Sequence, residues 1–331
     1  MMHYNSGDGR YLVSVCMITY NHENYIQQAV DGVLMQRTDF NFELIIGEDC
    51  STDKTREIVL KYGAQYPDKI KLILQKENVG MMRNFIDTLN LCSGKYIALC
   101  EGDDYWTDPD KLQKQIDFLR TNPSFSICFH NVKVLYENSP ELNRPASTHQ
   151  QEVTTIENLA AKNYIHTASA VFKKCFLHLP TWFCECPIGD YPLHLINAQY
   201  GSIKFINEIM GVYRIHSNNA WGIKSSPYKT EKWMECLEIL KDKFNENVNK
   251  NLETQLYYCC YQLAIYYYRK GDINRTFEKC KNYILKRGDS YFFFKANLFY
   301  YKTVDYLLPE GSLRKSFIKK LLKLTDFSSS R

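Results

Sequence analysis

A chain of 331 residues that is 45% hydrophobic and 24% charged can bury a full domain core and part of a second, which excludes a disordered or fibrous protein. Its formal charge of +4, from 41 basic against 37 acidic residues, is too small to imply nucleic-acid binding. The twelve cysteines are scattered without the paired spacing of a zinc site or a secreted disulfide framework, and Cys184, Cys186 and His194 form only one Cys-x-Cys beside a lone histidine.

The first ten residues, MMHYNSGDGR, are polar and hold no apolar core of a signal peptide. With reduced thiols and no apolar run long enough to span a bilayer, a cytoplasmic protein is expected. Apolar β-rich runs then follow at 12–19, 42–47, 70–74 and 96–100. Between and after them, stretches at 24–36, 53–65, 80–92 and 109–121 carry apolar residues at helical spacing, as Ile26, Ala29, Val30 and Val33 do. Strand alternating with helix predicts a doubly wound α/β sheet over 11–135, and near-continuous apolar strands fit a sheet covered on both faces. Asp108 before Pro109, and Ser51, Thr52 and Asp53, supply helix start signals.

Past a polar loop at 137–152, Thr154 and Glu157 have capping-box spacing for a helix through Lys162. A strand at 168–172, a helix at 191–200 and a pair of strands at 203–206 and 211–215 complete the first domain, residues 1–224. Beyond about 225 the β character vanishes. The run LYYCCYQLAIYYYRKGDINRTFEKCKNYIL reads as two helices joined at Gly271, so 225–331 is expected to be an all-α domain. Its end, 309–331, holds six Lys or Arg against two acids with Leu313, Phe317, Leu321 and Leu324 on one face. Such a helix fits either an anionic membrane surface at the inner leaflet or packing on the helical domain.

Open α/β sheets bind ligands beyond the carboxyl ends of their strands. Thr19, Tyr20 and Asn21 follow the first strand, Glu48 and Asp49 the second, and Glu101, Asp103 and Asp104 the fourth. Taken alone an Asp-Asp pair is ordinary turn chemistry. Three polar strand ends converging on one crevice point to a site instead. Two carboxylates about 4 Å apart repel by roughly 4 kcal/mol at the effective dielectric of a protein surface, so a cation is expected among them. There is no G-x-G-x-x-G and no G-x-x-x-x-G-K-[ST] to cradle phosphates. A diphosphate would then be held through Mg2+ or Mn2+ on hard oxygen ligands.

The runs VSVCMITYNHENYI, IIGEDCSTDKT and GKYIALCEGDDYWTDPDKLQKQIDFL resemble the family 2 glycosyltransferases over about residues 11–221. The resemblance implies a GT-A nucleotide-sugar-binding fold with a mixed, mainly parallel sheet and an inverting transfer from a nucleotide diphosphate sugar. It places Thr19 and Tyr20 at the nucleobase, with Asn21 and Glu23 of the same run in the binding set. Asp49 would bond the base, usually uracil, and Asp103 with Asp104 would match the DxD element for ribose and metal. Glu101 and Glu48 stand where the family often has aspartate. In CPIGDYPLHLINAQYG, Gly189-Asp190 replaces the usual Glu-Asp pair and leaves Asp190 as general base. His216, in GVYRIHSNNAW, would be a metal ligand or a diphosphate donor, and Arg83 with Asn84 falls near a family binding segment.

The expected partners are a nucleotide sugar and a glycan or lipid-linked acceptor in bacterial surface polysaccharide synthesis. A sugar nucleotidyltransferase would need a glycine-rich basic loop where this chain has TYNHEN. An inactive fold acting as an interaction protein would not need its strand-end carboxylates.

Overall fold

In the computed structural model, residues 11–176, 178–217, 225–272 and 274–275 are described. The first half alternates as its hydrophobic pattern requires: β1 (Val13–Thr19), α1 (Ile26–Leu34), β2 (Phe42–Glu48), α2 (Thr55–Gln65), β3 (Ile70–Leu74), α3 (Met81–Leu91) and β4 (Tyr96–Leu99). β1 pairs in parallel with β2 and β4, and β2 with β3. All seven residues of β2 are buried, because helices cover both faces of the sheet. Ile26, Ala29, Val30 and Val33 form the buried stripe of α1.

The second half holds β5 (Tyr105–Trp106), α4 (Lys111–Thr121), β6 (Phe125–Tyr136), β7 (Arg144–Pro145), β8 (Val153–Thr154), α5 (Ile156–Ala161), β9 (Val171–Lys173), α6 (Asp190–Ala198), β10 (Ser202–Ile215), α7 (Ser226–Leu240) and α8 (Glu246–Arg269). The sheet runs β3-β2-β1-β4-β9-β6-β10-β5, with β7 on β6 and β8 on β10. β9 lies antiparallel between β4 and β6, while β6 and β10 are parallel, so the sheet is mixed and mainly parallel as expected.

Three local readings shift. The strands expected at 203–206 and 211–215 are one strand, β10, whose register jumps on either side of Ile209 while 207–209 lie exposed. The polar interruption is a bulge, not a turn. At α5, Thr155 rather than Thr154 opens the cap: Thr154 is drawn into β8 opposite Ile203, and the Asn158 side chain accepts the Thr155 N–H at 3.0 Å. At α4, Asp108 accepts the Asp110 N–H at 2.8 Å and a bond from Lys114 Nζ, closing a turn before the helix begins at Lys111.

One compact unit ends at Glu253 and a second begins at Thr254, within α8. Cys236, Leu237 and Leu240 of α7 are buried in the first unit. The second helix of the expected hairpin beyond Gly271 and the basic helix at 309–331 lie outside the described residues. Among the described residues, no helix is long and apolar enough to cross a membrane.

Candidate active site

The carboxyl ends of β1, β2 and β4 open into a cleft of about 920 Å³. Thr19, Tyr20, Asp49, Asn84, Glu101, Asp103 and Asp190 all line it, which brings together residues from three strand ends and from the start of α6. Tyr20 is exposed at the mouth, and Thr19 is buried with its Oγ1 3.3 Å from His22 Nδ1.

Asn21 and Glu23 act behind the cleft, where they latch the loops after β1 and β2 to each other. Asn21 takes a left-handed conformation, φ 54°, in which its N–H donates to Ser51 Oγ and its side-chain oxygen accepts the Thr52 N–H at 2.8 Å. Glu23 accepts the Lys54 N–H at 2.9 Å and donates its own N–H to Asp53. Arg83 is exposed on α3 and paired with Asp87 at 2.9 Å, one turn away. Its neighbour Asn84 is buried and donates to the Gly47 carbonyl at 2.8 Å.

At the end of β2 the acids are fully partnered. Glu48 is buried, ion-paired with Arg56, and accepts the Ser51 N–H. Asp49 accepts the N–H groups of Val79 and Gly80 at 2.8 and 3.0 Å. Burial raises its carboxyl above the ordinary range, and those two bonds offset only part of the rise.

The end of β4 differs. Asp103 Oδ2 lies 3.1 Å from His216 Nε2 and 3.7 Å from His22 Nε2. Burial pushes the Asp103 carboxyl up, but the His216 hydrogen bond and the nearby imidazoles outweigh it and leave it lowered. One ligand atom from each of His22, Asp103 and His216 lies within 4.8 Å of the others. Two imidazoles and a carboxylate so gathered suit a divalent cation. Gly102 permits this closure, since a Cβ there would stand 2.6 Å from Thr19 Oγ1 and 3.1 Å from His22 Nδ1.

Asp104 faces away from that trio. Its Oδ1 accepts the Arg214 N–H at 2.8 Å, while Oδ2 is buried without a hydrogen-bond partner among the described groups. Burial, then the charges of Asp103 and Glu101, hold it protonated well above the ordinary carboxylate range. Glu101 is pushed to about 8 by burial and by Asp103 and Asp190. Arg214 clamps this loop: Nε donates to the Asp103 carbonyl at 2.9 Å, and the guanidinium lies 4.7 Å from the Tyr25 ring centre.

Sequence reasoning passed over His22 and Arg214. His22 could have been found, because it stands one residue past Asn21 at the same strand end. Arg214 is the arginine of the Arg-x-His that the resemblance places after a strand, but it carried no role of its own until the antiparallel pairing of β10 with β5 brought it to the Asp103-Asp104 loop.

Asp190 begins α6, where the helix N-terminus favours a negative charge. Its Oδ2 accepts the Thr167 hydroxyl at 3.0 Å and its Oδ1 the Tyr191 N–H at 2.7 Å. Gly189 precedes it for a steric reason: a Cβ would meet the Phe85 ring at 2.7 Å and Met82 Sδ at 3.3 Å, so a glutamate fits there only if the Phe85 side chain shifts. Burial lowers His166 and brings His194 to about 4, against the pull of Asp190, so both neighbouring imidazoles stay neutral at pH 7.

Residues 14–176 match the family described as Glycosyl transferase family 2. The protein Rv1520 of Mycobacterium tuberculosis is 40% identical over 209 residues, which are 63% of this chain and 60% of its own length. The chain therefore spans about three fifths of the curated relatives it matches first. WfgD of Escherichia coli, named as a UDP-Glc:alpha-D-GlcNAc-diphosphoundecaprenol beta-1,3-glucosyltransferase, is 34% identical over 129 residues, 39% of this chain and 49% of its own. Among solved structures, the mannosyltransferase PcManGT from Pyrobaculum calidifontis, in complex with GDP-Man and Mn2+, superposes with a TM-score of 0.51 at 13% identity, over 96% of this chain and 85% of its own. With the mixed sheet, the cleft at its carboxyl edge and the match over 14–176 all in agreement, residues 14–176 are a glycosyl transferase family 2 segment and the chain has the GT-A fold.

Proposed function

We propose that the protein is an inverting glycosyltransferase that moves a sugar from a UDP-linked donor to a hydroxyl of a glycan or lipid-linked acceptor in bacterial surface polysaccharide assembly. The observation that carries this reading is that a single cleft holds both Asp103, gripped by two histidines, and Asp190, a carboxylate held by neutral donors. The activity for which the similar WfgD is named supports the donor and acceptor classes, and the Mn2+ of the PcManGT complex supports the metal.

In this mechanism Thr19, Tyr20 and Asp49 hold the nucleobase end, with Asn21 and Glu23 fixing the loop that carries them. Arg83, exposed beside the cleft, would meet the donor only by leaving Asp87. Asp103, His216 and His22 would hold Mn2+ or Mg2+, with Asp104 bracing the strand behind them. Bound there, a divalent cation supplies charge neutralisation for the departing diphosphate. Asp190 takes the proton from the acceptor hydroxyl as its oxygen attacks the anomeric carbon. The bond to the diphosphate breaks on the opposite face, so the anomeric configuration inverts.

The reading is tested by titrating UDP into the protein with and without Mn2+ in a calorimeter, and by following the anomeric proton of the product by NMR. Metal-dependent UDP binding and an inverted product are expected. UDP binding indifferent to metal, or a retained configuration, would overturn the reading.

A further inference from the structure

The cleft does not end at the donor side. Its far wall is built from residues 163–167 and from Tyr228, Lys232 and Trp233 of α7. α7 lies beyond the matched segment, which stops at 176, and beyond every strand of the sheet. A helix added after the last strand of a sheet ordinarily turns its polar face to solvent. This one turns two aromatic rings into the site.

The placement is fixed by packing. Trp233 sits 4.7 Å from the ring of Tyr191, the buried residue directly after Asp190. Cys236, Leu237 and Leu240 are buried along the same helix. The position of α7 is therefore tied to the residue that follows the proposed base. Tyr228 lines the cleft and remains 42% exposed, so part of its aromatic surface faces the space a ligand would fill. Lys232, one turn on from Tyr228, is the one Lys or Arg among the described lining residues. It is paired with Glu235 at 2.7 Å, so a donor and an acceptor stand side by side at the rim.

The geometry points to α7 as the acceptor wall: Tyr228 and Trp233 receive the apolar face of an acceptor pyranose ring, the Lys232–Glu235 pair engages its hydroxyls, and the ring so seated presents one hydroxyl to Asp190. The ligand class is a neutral sugar ring, recognised by an aromatic platform with a polar edge. Its selectivity is then written in a helix that the family match does not reach. This inference rests on the transferase reading above, and it assigns the acceptor half of that site to residues of this chain alone.

The test uses the full chain and two probes, UDP with Mn2+ for the donor end and the methyl β-glycopyranosides of glucose, galactose and N-acetylglucosamine for the acceptor end. Saturation-transfer NMR reads protein contact with the glycoside ring protons, and calorimetry reads UDP. At least one glycoside is expected to receive saturation from the wild type. Tyr228→Ala should weaken it by about tenfold, the usual scale for truncating an aromatic anchor, and leave UDP affinity unchanged. Lys232→Ala should weaken it less. Because Trp233→Ala also strips the packing on Tyr191, Trp233→Phe is the informative change there. Absence of saturation with all three glycosides in the wild type, unaltered saturation in Tyr228→Ala, or a fall in UDP affinity in that variant would each overturn the assignment. Failure of the wild type to bind UDP would instead break the transferase reading.

Discussion

The ends of β2 and β4 carry the same sequence pattern, paired acids after an apolar strand, and fold to opposite outcomes. At β2 each carboxylate is matched: Glu48 by Arg56 and the Ser51 N–H, Asp49 by two backbone N–H groups. At β4, Glu101 and Asp104 are pushed toward the protonated form, and one oxygen of Asp104 is buried without a partner among the described groups. The nearest buried lysine does not relieve them. Lys111 lies 3.9 Å from the Trp106 ring centre, donates to Gln115 and is brought to about 7 by burial. A carboxylate that the fold has already neutralised, as Arg56 neutralises Glu48, is architecture. One that the fold leaves short of positive charge is prepared for a cation or a ligand.

That contrast can be broken in order of expected effect. Asp103→Asn should abolish transfer and remove Mn2+-dependent stabilisation in thermal melts, while the fold survives because asparagine keeps the side chain's shape and a hydrogen-bonding oxygen beside His216; measurable transfer or a retained metal shift would place the cation elsewhere. Asp190→Asn should lower turnover by roughly a hundredfold or more with UDP affinity intact, the scale of a lost general base. A collapse of UDP affinity would move Asp190 to the donor half. Arg56→Met should cost about 3 kcal/mol in urea unfolding, because it leaves Glu48 buried and unpaired, yet spare UDP binding per folded molecule. If it instead removed UDP binding, Glu48 would belong to the site together with Asp49.

The smallest effect is on pH dependence. Lys111 titrates near 7 when folded and near 10.5 when unfolded, so between those values the unfolded chain holds the extra proton. Stability should therefore rise with pH across that window, by at most about 1.4 kcal/mol per unit. Lys111→Met should lack this rise relative to the wild type in paired urea melts at pH 7 and 9. Equal slopes would show that Lys111 keeps its charge in the core.

Hydrophobic period and strand-end chemistry were enough to place β1 to β4, α1 to α4 and the convergence of Thr19, Asp49, Glu101 and Asp103, because each rests on contacts local in sequence or on one rule of sheet topology. Arg83 and Glu23 entered the binding set through the family resemblance alone, and no local signal separates a side chain that faces a cleft from one that latches two loops. β6 and the antiparallel insertion of β9 escaped the pattern, since pairing partners more than 40 residues apart leave no periodic mark. The grouping of His22 with His216, the clamp of Arg214 on Asp103, and the arrival of α7 at Asp190 are of this kind. Sequence by itself determined which residues could bear charge at a strand end; only the tertiary structure decided which charges were left unbalanced, because compensation depends on distance in space and on burial, and neither is encoded by any short run of residues.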